Sequence, residues 1–257
     1  MSEGSRLLTA SDGAPVTEVN VQGASEVMLI CEHASRKLPS KLRTLGLSDE
    51  ALNAHIAWDP GALAVALEMS RLLDAALVYQ NFSRLAYDCN RPPDAIDAMP
   101  PQSEVFSIPG NADLSAADRE LRTAEIYMPF RAALSAMIGA RKAQGRQTVL
   151  VTVHSFTPVY NSVRRDVEIG ILHDTDARLA DQMLALSAQE RRFEIRRNEP
   201  YGPADGVTHT LKEHGLANGL PNVMIEIRND LIHNEAGQQV MAGFLAGLIG
   251  ESLSIPA

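Results

Sequence analysis

Thr148-Val149-Leu150-Val151-Thr152-Val153, running straight into His154-Ser155, is the stretch on which the fold turns. Six β-favouring, almost wholly apolar residues describe a strand buried on both faces, which is a feature of parallel sheets covered by helices. The same pattern recurs on either side. Val27–Cys31 is a second short apolar run, ending in Glu32-His33, and further strands are expected at Ala76–Gln80, Val167–Leu172, Phe193–Arg196 and Asn222–Ile227. Helical spacing of Leu63, Ala66, Leu67 and Ser70 predicts a helix over Gly61–Leu73. Ser115 reads as the N-cap of a helix that runs to about Gln144, kinked or divided at Pro129 and ended by Gly145. Other helices are expected at Ala177–Glu190, Val207–His214 and Glu235–Leu253. Strands alternating with helices predict an α/β fold: one domain over 21–257, with a central mixed, mainly parallel sheet flanked by helices. Residues 1–20, polar and broken by Gly4, Gly13 and Pro15, read as a flexible leader, and 94–114 as a long loop.

Composition bounds the function. The 257 residues carry 32 acidic and 23 basic side chains, a formal charge of −9, and 45% are hydrophobic. The apolar fraction suffices for a sizeable core. An acidic balance argues against nucleic acid as a partner, since phosphate binding leaves a basic footprint. It does not exclude an anionic small molecule, because affinity follows the local field of a cleft rather than the total charge. No apolar run reaches the length of a membrane span. Two cysteines, Cys31 and Cys89, make no disulfide framework, and Met1-Ser2-Glu3-Gly4 has no signal-peptide pattern, so a cytoplasmic location is expected.

Ligands of open α/β sheets gather beyond the carboxyl ends of strands. His33, the segment from Arg84 to Arg91, His154 and His173-Asp174 fall at such ends. Glu226 sits inside the apolar strand Val223-Met224-Ile225-Glu226-Ile227-Arg228, where an ionised side chain is costly unless paired or used. Two histidines after two strands, with acids nearby, suggest zinc held by two His and one carboxylate. The candidate carboxylates are Glu32, Asp59 and Asp174. Alternation along an extended chain weakens Glu32 as a co-ligand of His33. Asp59, in Trp58-Asp59-Pro60-Gly61-Ala62, could instead be a plain helix cap. His209 and His214 are about 140° apart on a helix, a poor metal pair, although His209 could reach the site from the loop 198–206. His55 and His233 read as ordinary surface or capping residues, and Arg165 as a surface ion pair with Asp166. The guanidiniums of Arg84 and Arg91 suit bidentate binding of a carboxylate.

Taken in order, Cys31-Glu32-His33-Ala34-Ser35, Trp58-Asp59-Pro60-Gly61-Ala62, Ser83-Arg84 with Asp88-Cys89-Asn90-Arg91-Pro92, Val153-His154-Ser155-Phe156-Thr157-Pro158, Asn198-Glu199-Pro200-Tyr201 and Glu226-Ile227-Arg228-Asn229-Asp230 resemble the N-formylglutamate amidohydrolases. The pattern is similar, more distantly, to zinc carboxypeptidases, whose acidic ligand lies three residues after the first histidine, where this chain has Arg36. The resemblance implies a zinc-exopeptidase-like (phosphorylase/hydrolase-like) fold. It implies Zn²⁺, or another divalent ion, on His33, Asp59 and His154, with Glu226 as the base. Arg84 would face the oxyanion, while Asn90 and Arg91 would hold a substrate carboxylate, joined by Arg164, Tyr201 and His209. The implied substrate is a small anionic N-acyl amino acid, N-formyl-L-glutamate by the family's name. Other zinc amidases or deacylases, and a non-catalytic metal binder, are the alternatives.

Overall fold

The computed structural model describes residues 6–255. Seven strands form the central sheet: β1 (Val16–Val19), β2 (Val27–Cys31), β3 (Ala76–Gln80), β4 (Val149–Phe156), β5 (Ile169–Leu172), β6 (Ile195–Arg197) and β7 (Asn222–Arg228). Their order is β1-β3-β2-β4-β7-β5-β6. Four of the six pairings are parallel; β1 against β3 and β7 against β5 are antiparallel. The sheet is therefore mixed and mainly parallel. All eight residues of β4 and all seven of β7 are buried, as the apolar runs required.

Five helices cover the sheet: α1 (Ala62–Leu73), α2 (Ala116–Arg122), α3 (Met128–Ala143), α4 (Arg178–Ser187) and α5 (Glu235–Leu253). Two apolar cores follow from strand alternation. Leu29, Cys31, Val151, Val153, Ile225 and Ile227 face α1, α4 and α5, and Met28, Ile30, Leu150 and Met224 face α3. Glu32, His154 and Glu226 continue the second parity, so the polar groups of the central strands extend the α3 face. Ser115 caps α2 with a capping box through Asp118. Between α2 and α3, Thr123–Tyr127 form a widened π turn just before Pro129, which is how the expected kink is accommodated.

Two expectations need correction. Val16–Val19 fall within the stretch read as a leader, yet they pair with β3 as an edge strand, and the Leu7 and Leu8 amides donate to Glu125. Local composition hid this, because the ladder partner lies some sixty residues away. Within 94–114, Gln102–Ser103 and Phe106–Ser107 form a small hairpin. A second hairpin, Val159–Tyr160 with Val163–Arg164, follows β4. Among the described residues no helix is long and apolar enough to cross a membrane.

Candidate metal centre

The carboxyl ends of β2, β4 and β7 lie side by side at the middle of the sheet. β2 delivers Glu32 and His33, β4 delivers His154, and β7 delivers Glu226 in register with His154. Asp59 arrives on a loop stapled to the same edge. Its amide donates to the His33 carbonyl (2.9 Å), and Ser155 donates its hydroxyl to the Pro60 carbonyl (2.9 Å) and its amide to Asp59 Oδ2 (3.3 Å). Asp59 is not the cap of α1. That position belongs to Gly61, whose φ of +83° turns the chain into the helix where a Cβ would lie 2.5 Å from the Ile232 carbonyl oxygen. The carboxylate is thereby left to the histidines.

Three donor atoms converge. His33 Nδ1 and His154 Nδ1 are 3.1 Å apart, and Asp59 Oδ2 lies 3.2 Å from the first and 2.9 Å from the second. A tetrahedral ion with bonds of roughly 2.0–2.1 Å separates its ligand atoms by about 3.3 Å, so the triangle has the right size. The opposite ring nitrogens face carboxylates. His33 Nε2 is 2.7 Å from Asp88 Oδ1, and His154 Nε2 makes a 3.0 Å ion-pair contact with Glu32 Oε2. An ionised carboxylate can only accept, so with a cation bound each Nε2 would carry the hydrogen and each Nδ1 would turn a lone pair inward. Carboxylates behind ligating histidines are the usual outer support of a metal site.

The electrostatics agree. Glu32, Asp59, Asp88 and Glu226 are all buried around this point, with Arg84 bridging Asp59 Oδ1 (3.1 Å) and Asp88 Oδ2 (3.4 Å). Burial would lower the His154 pKa, but the charges of Glu32 and Asp59 carry it well above its ordinary value. Burial and Arg84 act in the same sense on His33, and Asp88 and Asp59 reverse them. The site thus calls for positive charge, as protons or as a cation. Burial would raise the Asp59 pKa, yet the His33 charge and the hydrogen bonds of both histidines hold it well below the usual carboxylate range. Glu226 Oε2 is buried without a hydrogen-bond partner among the described residues, as are both carboxylate oxygens of Glu32. Burial, opposed by the His154 charge and reinforced by Asp59, pushes the Glu226 pKa up to about 7.

The donors open into a cavity of about 180 Å³ whose wall includes Arg84, Asn90, Arg91, Tyr201 and Glu226. Other sequence-based assignments land differently. Asn90 spends its side chain on the neighbouring segment, donating to the Val207 carbonyl (2.5 Å) and accepting from the Thr210 amide (3.0 Å). Arg91 pairs through Nε with Asp97 and through Nη1 with the Asn90 and Gly206 carbonyls, leaving Nη2 uncommitted among the described residues. Arg164 is a correction: its side chain is 81% exposed on the second hairpin and does not line the cavity. Its neighbour Arg165, read as a surface ion pair, stacks over Phe156, Tyr160 and Tyr201 instead. His209 does not line the cavity either; its Nε2 is 2.9 Å from the Tyr127 hydroxyl. Asp174 accepts from Thr208 (2.6 Å), away from the donors.

Sequence reading missed four contributors. Asp88 and Glu32 orient the histidines; alternation rightly separated Glu32 from His33, and the same alternation places it beside His154. His55 is a cavity-wall residue 3.5 Å from Asp59 Oδ1, with burial lowering its pKa to about 4. Its four-residue spacing from Asp59 was a usable signal. Glu104, on the first hairpin, also lines the cavity, and only the tertiary fold reveals that.

Residues 25–233 match the sequence profile of the family described as N-formylglutamate amidohydrolase. Among solved structures, the gene product Atu2144 from Agrobacterium tumefaciens is 56% identical across 97% of this chain and 98% of that one, with a TM-score of 0.95. An N-formylglutamate amidohydrolase from Ralstonia eutropha JMP134 is 20% identical across 92% of this chain and 96% of that one, with a TM-score of 0.64, a likeness of fold. No functionally curated protein matches the chain.

Proposed function

The chain belongs to the N-formylglutamate amidohydrolase family, and we propose that it is a metal-dependent amidohydrolase acting on a small N-acyl amino acid. The reference reaction is N-formyl-L-glutamate plus water giving formate plus L-glutamate. The observation that carries this reading is the pairing of three convergent donors, His33, Asp59 and His154, with an unpartnered buried carboxylate on the adjacent strand position, Glu226. The space over the donors, about 180 Å³, accommodates a small acyl group.

His33 Nδ1, His154 Nδ1 and Asp59 Oδ2 would hold the cation, and two imidazoles with one carboxylate suit zinc first among divalent ions. When bound, such an ion polarises a carbonyl and lowers the pKa of water towards about 7. Glu226 takes a proton from the attacking water and returns it to the leaving amine, a role suited to a carboxyl whose pKa sits at about 7. Arg84, held on the cavity wall by Asp59 and Asp88, supplies positive charge for the developing oxyanion. Arg91, with Nη2 uncommitted, binds the α-carboxylate, while Asn90 pins the 206–210 segment against which the substrate rests. Tyr201 closes the wall beside Glu226.

Formate release from N-formyl-L-glutamate tests the reading. Turnover is expected to vanish on chelation and return with zinc, and Glu226→Gln should cost at least about 100-fold in kcat. Full activity in the stripped protein, or near-normal turnover in Glu226→Gln, contradicts it.

A further inference from the structure

Arg165 follows the second hairpin, and its guanidinium is held in place without being neutralised. Its central carbon lies 5.6 Å from the ring of Phe156 at the end of β4, 4.5 Å from that of Tyr160 and 4.8 Å from that of Tyr201. A guanidinium lying over rings keeps its N–H groups in its own plane, where they can still donate. It makes a long hydrogen bond to the Thr157 carbonyl (3.4 Å) and has no carboxylate partner among the described residues, since Asp166 leans towards Arg164 instead (3.7 Å). The backbone beneath it is fixed from β7. Arg228, two positions after Glu226, donates to the carbonyls of Arg165 (3.4 Å) and Asp166 (3.3 Å), and pairs with Glu168 (3.0 Å) and Asp230 (2.8 Å). Two of the three rings, Tyr160 and Tyr201, belong to the wall of the cavity over the donors. The charge is felt along that wall. Burial raises the Glu104 pKa, and the charges of Arg165 and Arg84 oppose it; burial lowers the His55 pKa, and Arg165 is among the charges acting in the same sense.

A substrate with its acyl carbonyl over the donors and its α-carboxylate on Arg91 leaves its side chain to the rest of the wall. Arg84 is committed there to Asp59 and Asp88, whereas the fork of Arg165 is open. Glu104 reaches the same wall but makes no ion pair with Arg165, so it does not occupy that fork. We infer that Arg165 is a specificity-determining residue, whose guanidinium binds the side-chain carboxylate of an acidic substrate at the part of the rim that Tyr160 and Tyr201 form. The inference rests on the reading of the site as that of an N-acyl amino-acid hydrolase, and it assigns to Arg165 the part in carboxylate binding expected of the exposed Arg164. A guanidinium meets a carboxylate in a bidentate, charge-assisted pair, which is stronger at a half-buried position than in open water. Stacking on three rings has already removed much of the freedom that the side chain would lose on binding.

N-formyl-L-glutamate and its near-isostere N-formyl-L-glutamine differ only in the group that Arg165 would meet. Their binding to zinc-loaded Glu226→Gln is measured by calorimetry, beside formate release by the zinc-loaded wild type and Arg165→Gln. The glutamate compound should bind at least about tenfold more tightly than the glutamine compound. Adding Arg165→Gln should bring that ratio to within about threefold, by weakening glutamate and leaving glutamine nearly unchanged. In turnover, Arg165→Gln should raise KM for N-formyl-L-glutamate with kcat held within about twofold. Arg165→Lys, which keeps the charge without the fork, should give a ratio between the two. Glutamine binding as tightly as glutamate, an equal loss for both compounds in Arg165→Gln, or no binding of either overturns the inference. The predicted binding order without formate release upholds it and defeats the deformylation reading alone.

Discussion

Glu226 is the base in the proposed reaction, and its buried position carries a cost. A carboxyl whose folded pKa is raised from about 4.5 to about 7 destabilises the fold once it ionises. The penalty is absent below the unfolded value, grows across that interval and is complete above pH 7. In the metal-free protein, Glu226→Gln should therefore raise the melting temperature at pH 8, by about 1–3 kcal/mol of stability, with the gain shrinking as pH falls towards 5. Melting curves across pH check this, and a variant that is less stable at pH 8 would contradict it. Glu32 and Asp88 act one layer out. Glu32→Gln and Asp88→Asn keep all three donors but weaken the hold on each imidazole, and each should loosen zinc binding by about 10- to 100-fold in competition with a chelating dye. Unchanged affinity would show that the donors need no such support.

At the scale of elements, the site is the meeting of three strand ends with a loop that must come close. Gly170 on β5 makes one such approach possible, since a Cβ there would lie 1.9 Å from the Glu199 carbonyl oxygen. Gly170 is also the register partner of Glu226, so the Glu199-Pro200-Tyr201 segment reaches the cavity by crossing over it. Gly170→Ala is expected to destabilise the protein by about 1–3 kcal/mol and to raise KM more than it lowers kcat, because Tyr201 moves while the donors stay. Gly139→Ala, on the open face of α3 where nothing lies within 4 Å, is the comparison: it should leave the kinetics unchanged and stabilise the helix by about 0.5–1 kcal/mol. Denaturant titration and steady-state kinetics measure both.

Much at this scale was legible beforehand, and for a physical reason. Buried parallel strands write themselves as apolar runs, so β2, β4 and β7 could be read with the histidines at their ends and Glu226 within. Asp59 is one of three candidate carboxylates, and only the family resemblance singles it out. What could not be read depends on partners distant in the chain. The edge strand β1 takes its ladder from β3, Arg165 rather than Arg164 turns inward through aromatic rings on three segments, and Glu104 reaches the site on a hairpin too short to leave a periodic signal.

The whole molecule carries a charge of −9, and that total says little about the site. Four buried carboxylates surround two imidazoles and Arg84, and the three convergent donors come from the end of β2, from the loop before α1 and from β4. A cation that ties these segments together binds only the folded chain, so it stabilises by mass action: about 2.7 kcal/mol at a hundredfold excess over Kd. Zinc should raise the melting temperature of the stripped protein, and binding should release protons from His154, so that affinity falls as pH drops. A melting temperature indifferent to zinc at every pH would contradict this.

The most direct measurement is the metal content of purified, dialysed protein by elemental mass spectrometry, taken on the wild type, Asp59→Ala and Glu226→Gln together. The account predicts about one divalent ion per chain in the wild type and in Glu226→Gln, and a loss of most of it in Asp59→Ala. A wild type that cannot be loaded with a divalent ion, or an Asp59→Ala variant that keeps its full complement, would contradict the metal centre on which everything else depends.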